Sequence, residues 1–168
     1  MKKTVIKYGV YSLLAATVLF LLALLLAKGV SYSTQEVIGY TTMVVSLVFV
    51  YFGIKHYRDS ENEGKISFGK ALLIGFLISL FAGVGFGVVD YIYTAWINPD
   101  FAQEYLAGVT AEMKASLPAD EYESAKAALE EQMEQYGGSG FWAFIMFATV
   151  VMIGLILSIL SALILQRK

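Results

Sequence analysis

The sequence predicts an all-α integral membrane protein, with four transmembrane helices and an extracytoplasmic amphipathic helical arm between the third and the fourth. Three observations predict it. Hydrophobic residues make up 58% of the chain, charged residues only 15%, and mean hydropathy is +0.66, far from the balance of a soluble domain. Apolar runs of membrane-spanning length recur along the chain. Lysines and arginines gather at the ends of those runs that a serpentine path places on one side.

Residues 8–27 read YGVYSLLAATVLFLLALLLA, without a charge; about 20 residues at helical rise cross about 30 Å of hydrocarbon. Met1, Lys2 and Lys3 resemble the basic region of a signal peptide, but the run is too long and no small-x-small cleavage site follows. An uncleaved signal anchor is expected. Residues 37–54 form a second apolar stretch, residues 71–97 a third interrupted only by Asp90, and residues 141–165 a fourth. Each must satisfy its own backbone in lipid, so each reads as a helix. No discontinuous helix pair or inverted repeat is evident.

The polar arm, residues 100–136, is too short for a core of its own, and residues 1–168 read as a single membrane domain. Phe101, Tyr105, Val109 and Met113 recur at i+4, and Tyr122, Ala125, Leu129, Met133 and Tyr136 at i+3 or i+4, which predicts two amphipathic helices. Pro118 sits where a helix start tolerates it, Asp120 and Glu121 complement the dipole of the first turn, and Gly137, Gly138, Ser139 and Gly140 end the second helix. Tyr105, Val109, Met113, Leu129 and Met133 are the candidate contacts of this arm with a partner or the membrane surface.

Lys2, Lys3, Lys7, Lys55, Arg58, Lys65, Lys70, Arg167 and Lys168 fall on one side, against Lys28, Lys114 and Lys126 on the other. The positive-inside rule then makes both termini cytoplasmic and puts the arm outside. The expected location is the bacterial inner membrane.

GKISFGKA, residues 64–71, places Gly64, Gly69 and Lys70 on the spacing of a phosphate-binding loop. Ala71 stands where the metal-binding hydroxyl belongs, and the flanks lack the strand that such a loop requires. A tight turn before the third span is expected, with Ser67 as N-cap accepting a backbone N–H. From there a small residue recurs every fourth position: Ser67, Ala71, Gly75, Ser79, Gly83 and Gly87, with Gly154 and Ser158 giving the fourth span a shorter version. In lipid such a ridge permits close helix packing, either inside the bundle or as a homodimer seam or substrate-lining face.

Asp90 is the one acid inside a span. It lies about 29 Å along the helix from Ala71 at helical rise, near the outer hydrocarbon edge, within reach of water or a phenol. Tyr91, Tyr93 and Trp96 beyond it read as an aromatic belt. An intramembrane acid is a functional candidate, with capture of a lysine or tyrosine as the structural reading. His56 reads as a solvated loop residue in a basic segment suited to anionic headgroups. With no cysteine, a lone histidine and no calcium loop, no metal or cofactor site is expected. Catalytic signatures are missing and no enzyme is expected. The net charge of -2 argues against nucleic acid.

The segments Tyr57-Arg58-Asp59, Gly64 through Ala71 with its ISFG stretch, and Ile97-Asn98-Pro99-Asp100-Phe101 with its NPDF turn resemble a bacterial family called domain of unknown function 4199. That resemblance covers essentially the whole chain. It implies a short protein with four membrane helices and a helical segment between the last two, and it brings no assigned activity. The expected role is a structural or accessory interaction protein of the cell envelope, in contact with the bilayer, a membrane or periplasmic protein partner, and further copies of itself. The alternative is a small transporter or channel subunit using Asp90 and the face of Gly75, Ser79, Gly83 and Gly87.

Overall fold

The computed structural model describes residues 1–27 and 29–167, and the backbone but not the side chain of Tyr32; the basic residues Lys28 and Lys168 lie outside it. Among the described residues the chain is helical, with one isolated antiparallel bridge and no strand. Four helical stretches are long and apolar enough to cross a membrane: Lys2–Leu26, Ser33–Glu61, Phe68–Ile97 and Ser139–Leu165. The protein is thus a multi-pass membrane protein with one basic end and one end that carries the arm.

The first helix, α1 (Lys2–Leu26), starts before its apolar run because Lys2, Lys3 and Lys7 continue the helix readily. Gly29, at φ +91, turns the chain, and Ser31 caps the next helix by accepting the Thr34 N–H at 3.3 Å. The second span is broken in the middle. It consists of α2 (Tyr32–Ser46) and α3 (Val48–His56), with Leu47 between them at φ -83 and ψ -1. The Val50 N–H bonds the Leu47 carbonyl at 3.0 Å, three residues back instead of four. This leaves the Ser46 carbonyl for the Ser12 hydroxyl of α1, which donates to it at 2.8 Å. A neighbouring helix thereby supplies the hydrogen bond that the break removes, as hydrocarbon requires.

A π-helical turn, Tyr57–Glu61, follows α3, and Glu63 at φ 53 and Gly64 at φ 79 reverse the chain. Ile66 then pairs with Arg167, each N–H donating to the other's carbonyl at 2.9 Å. GKISFGKA is therefore a turn and a two-residue bridge to the far end of the chain, ahead of α4 (Phe68–Ile92). Ser67 occupies the N-cap position, but its side chain makes no capping bond, contrary to expectation. Its neighbours are held by the bridge instead.

A second π-helical turn, Tyr93–Ile97, ends the third span. The arm is α5 (Phe101–Ser116) and α6 (Ala119–Tyr136), paired with each other, and α7 (Ser139–Leu165) returns to the basic end. The centre of the bundle is α4, packed against α7, α1 and α3. Half of the apolar window of its span is buried, against 17% to 33% for the others, so α1, α2 and α7 face the lipid with residues such as Leu14, Val44, Met152 and Ile164.

Glycine makes this centre possible. On the side of α4 toward α7, a Cβ at Gly75 would stand 2.5 Å from Ser158 Oγ, and one at Gly83 would stand 2.9 Å from both Phe147 and Val151. One at Gly87 would stand 3.1 Å from the Ala143 carbonyl oxygen, and one at Gly154 would collide with Ser79. Ala71 is fully buried, whereas Ser67 is exposed and outside this seam. Toward α1, a Cβ at Gly85 would stand 2.9 Å from the Leu13 carbonyl oxygen.

Gly85→Ala is expected to destabilise the fold by about 1–3 kcal/mol, since the backbone it meets cannot turn aside. Gly69→Ala, with open space around it, is expected to gain up to about 1 kcal/mol from helix propensity. Unfolding midpoints in one detergent check both. Ser12→Ala is expected to lose about 0.6–2 kcal/mol through the stranded Ser46 carbonyl; an unchanged midpoint would remove that account of the break.

Candidate functional site

At the arm end, between α1, α2, α4, α5 and α7, the structure leaves a cavity of about 260 Å³ that opens to the surface beside Glu36 and Tyr40. The sequence explains why the space is there. Gly87 brings the α7 backbone close to α4 near Ala143, while α2, above its break at Leu47, presents Gly39 without a side chain. Phe20 and Leu24 of α1, Met43 of α2 and Met146 of α7 line the apolar part. Phe20 is fixed against Phe86 of α4, their rings 4.8 Å apart.

The roof is a relay of aromatic rings. Tyr93 meets Phe101 edge to face at 5.9 Å, Phe101 stacks on Tyr105 at 6.2 Å, and Tyr105 meets Trp142 edge to face at 5.7 Å. The NPDF turn sets its register: the Phe101 N–H donates to the Asn98 carbonyl at 3.1 Å, and the Asn98 amide donates to Glu104 Oε2 at 2.8 Å. Phe101, Tyr105 and Trp142 all line the cavity.

Asp90 lies in the wall, 6% exposed. Its backbone carbonyl accepts from the Thr94 hydroxyl at 2.9 Å across the π-helical turn. Its carboxylate oxygen Oδ2 is buried and accepts no hydrogen bond from the described residues; the only comparable buried atom among them is Trp142 Nε1, in the same wall. Among the described residues, neither a lysine nor a phenol bonds that oxygen. Glu36 and Gln35 stand on the α2 side with Tyr40, Glu36 exposed. The described residues hold no cluster of His, Asp and Glu suited to a metal ion. The wall thus combines two acidic side chains, Asp90 and Glu36, with aromatic rings and the indole of Trp142.

Other predicted residues fall elsewhere. Tyr91 and Trp96 are exposed and in edge contact, but Tyr93 is 5% exposed and turned inward, so it leaves the expected belt. Tyr105 lies in the cavity roof, whereas Val109, Met113, Leu129 and Met133 are half-buried in the paired arm. His56 is helical, its ring 5.5 Å from that of Tyr8, and is not the loop residue expected. Arg58 is buried, bonded to Asp59 at 2.6 Å and to the Leu165 carbonyl at 3.4 Å. The sequence reading passed over Gln35, Glu36 and Trp142; a glutamate one residue before an apolar run was the available signal.

A family model described as "Protein of unknown function (DUF4199)" matches residues 7–167. No curated protein and no solved structure matches the chain.

Asp90→Leu is expected to raise the unfolding midpoint of the purified protein, because it removes a buried carboxylate whose oxygen lacks a donor, a defect of about 1–3 kcal/mol. A lowered midpoint would make Asp90 a structural residue.

Proposed function

The chain belongs to the family described as Protein of unknown function (DUF4199), and from that premise we propose that it is a ligand-binding accessory protein of the bacterial inner membrane. One observation carries the reading: Asp90, nine-tenths buried, directs no bond from Oδ2 to the described protein yet lines a cavity with Trp142. Such groups are expensive to keep in a membrane and mark functional sites. Binding is favoured over catalysis because the described lining residues include no histidine, lysine or serine.

Both termini are cytoplasmic and the arm is outside in this reading, supported by the basic residues at the end opposite the arm. The ligand then arrives from the outer surface or the outer leaflet, and α5 lies over it. The arm, with α6 laid on α5, is the part placed to pass occupancy to a membrane or periplasmic partner. A conducting subunit is the weaker reading: the Gly75, Ser79 and Gly83 face is filled by Ser158, Gly154, Phe147 and Val151, so a path along it requires α4 and α7 to separate.

The natural chain has no cysteine, so single cysteines report topology directly. Ser116→Cys is expected to react with an impermeant maleimide in spheroplasts, and Ser60→Cys only after permeabilisation; the opposite pattern inverts the orientation. For binding, a panel of small amphiphiles is expected to raise the unfolding midpoint of the native protein but not of Gly39→Phe, whose ring fills the cavity. A ligand at a hundred times its Kd contributes about 2.7 kcal/mol, well above detection. Equal responses of the two proteins would sink the binding reading.

A further inference from the structure

The chemistry of the cavity goes further than its presence. Resting on the reading of this cavity as a binding site, we infer that its ligand is an organic ammonium ion. An ionised carboxylate in a low-dielectric wall calls for a positive counter-charge or for donors, and the described residues give Asp90 Oδ2 neither. Glu36, exposed on the α2 side of the same cavity, adds a second negative charge that repels anions and draws cations in. Five of the other lining residues are aromatic, Phe20, Tyr40, Phe101, Tyr105 and Trp142, beside the aliphatic Leu24, Met43, Ile145 and Met146. Ring faces attract a cation within about 6 Å while their apolar area accommodates its carbon substituents. A hydrated metal ion gains little from such walls; an alkyl or aryl ammonium uses both parts. Trp142 Nε1, also without a partner among the described residues, supplies a donor for an acceptor oxygen on the same molecule.

The ammonium has two sources, a soluble amine or the headgroup of a zwitterionic lipid in the adjacent leaflet. The experiment separates them. Trp96→Phe, at a position 73% exposed, leaves Trp142 as the sole indole and therefore as the reporter. The full chain carrying this change is placed in nanodiscs of phosphatidylglycerol and titrated with benzyltrimethylammonium and with neopentylbenzene, its neutral isostere. A saturable change in Trp142 emission is expected, with the cation binding at least about tenfold more tightly. Asp90→Asn is expected to erase that preference. If that variant fails to fold, the comparison of the two probes still decides.

Nanodiscs containing phosphatidylethanolamine are expected to shift the titration to higher probe concentration when a lipid headgroup is the occupant, and to leave it unchanged when a soluble amine is. Equal binding of cation and isostere overturns the ammonium assignment and leaves the cavity as an apolar binding site. No saturable response to either probe overturns both the assignment and the binding reading beneath it.

Discussion

The close approach of α4 and α7 is the contact on which the rest of the structure depends. Apolar side chains gain little by leaving lipid tails, so two membrane helices hold together through van der Waals fit and hydrogen bonds. At Gly75, Gly83 and Gly87 the facing atoms stand where a Cβ would be, and Gly154 receives Ser79 in the same way. Both serines turn their hydroxyls back onto their own helices, Ser79 to the Phe76 carbonyl and Ser158 to the Gly154 carbonyl. The seam is thus polar in composition yet closed in hydrogen bonding. It lets α4 take the central position, and every other membrane helix is arranged around it.

Because α4 is central, the defects of the other helices have consequences for its neighbours. The break at Leu47 is held by Ser12 from α1 and by the contact of Leu47 with Gly154 on α7. Above the break α2 lines the cavity with Gly39 and Met43; below it α3 packs tightly, Gly53 receiving Ile78. One interruption in the second span therefore divides the bundle into a close-packed half and an open half. The arm-end cavity lies in that upper half, and the aromatic relay from Tyr93 to Trp142 lies over it.

The spans and the arm were legible in the sequence because lipid imposes a length and a polarity that composition cannot hide. The small-residue spacing from Ala71 to Gly87 and the lone acid Asp90 were legible for the same reason: each departs from a uniform apolar background. What was not legible depended on partners distant in sequence. Gly9, Gly53 and Gly85 show no common spacing, yet each is fitted to a particular side chain or carbonyl of another helix. Leu47 has nothing in its own identity that breaks a helix, and the Ser12 hydroxyl that supports the break is a span away. Tyr93 reads as a belt aromatic and Tyr105 as an outward contact of the arm, since spacing and depth fit those roles whichever way a phenol turns. The π-helical turn and the NPDF turn decide that these two face inward.

The two ends of the bundle differ in a way that bears on function. At the basic end the polar groups find partners: Arg58 bonds Asp59 and the last turn of α7, Ile66 and Arg167 exchange backbone bonds, and Thr4 bonds Glu61. Lys70 lies over the ring of Tyr57 at 5.3 Å. At the arm end, Asp90 and Trp142, which carry the two buried polar atoms without partners among the described residues, line one cavity, and α5 and α6 have no fully buried residue. Elements with few buried contacts open at lower free energy than the core they rest on. A bundle fastened at one end and lightly covered at the other opens at α5 before the α4–α7 seam, so the two ends differ in the free energy of local opening.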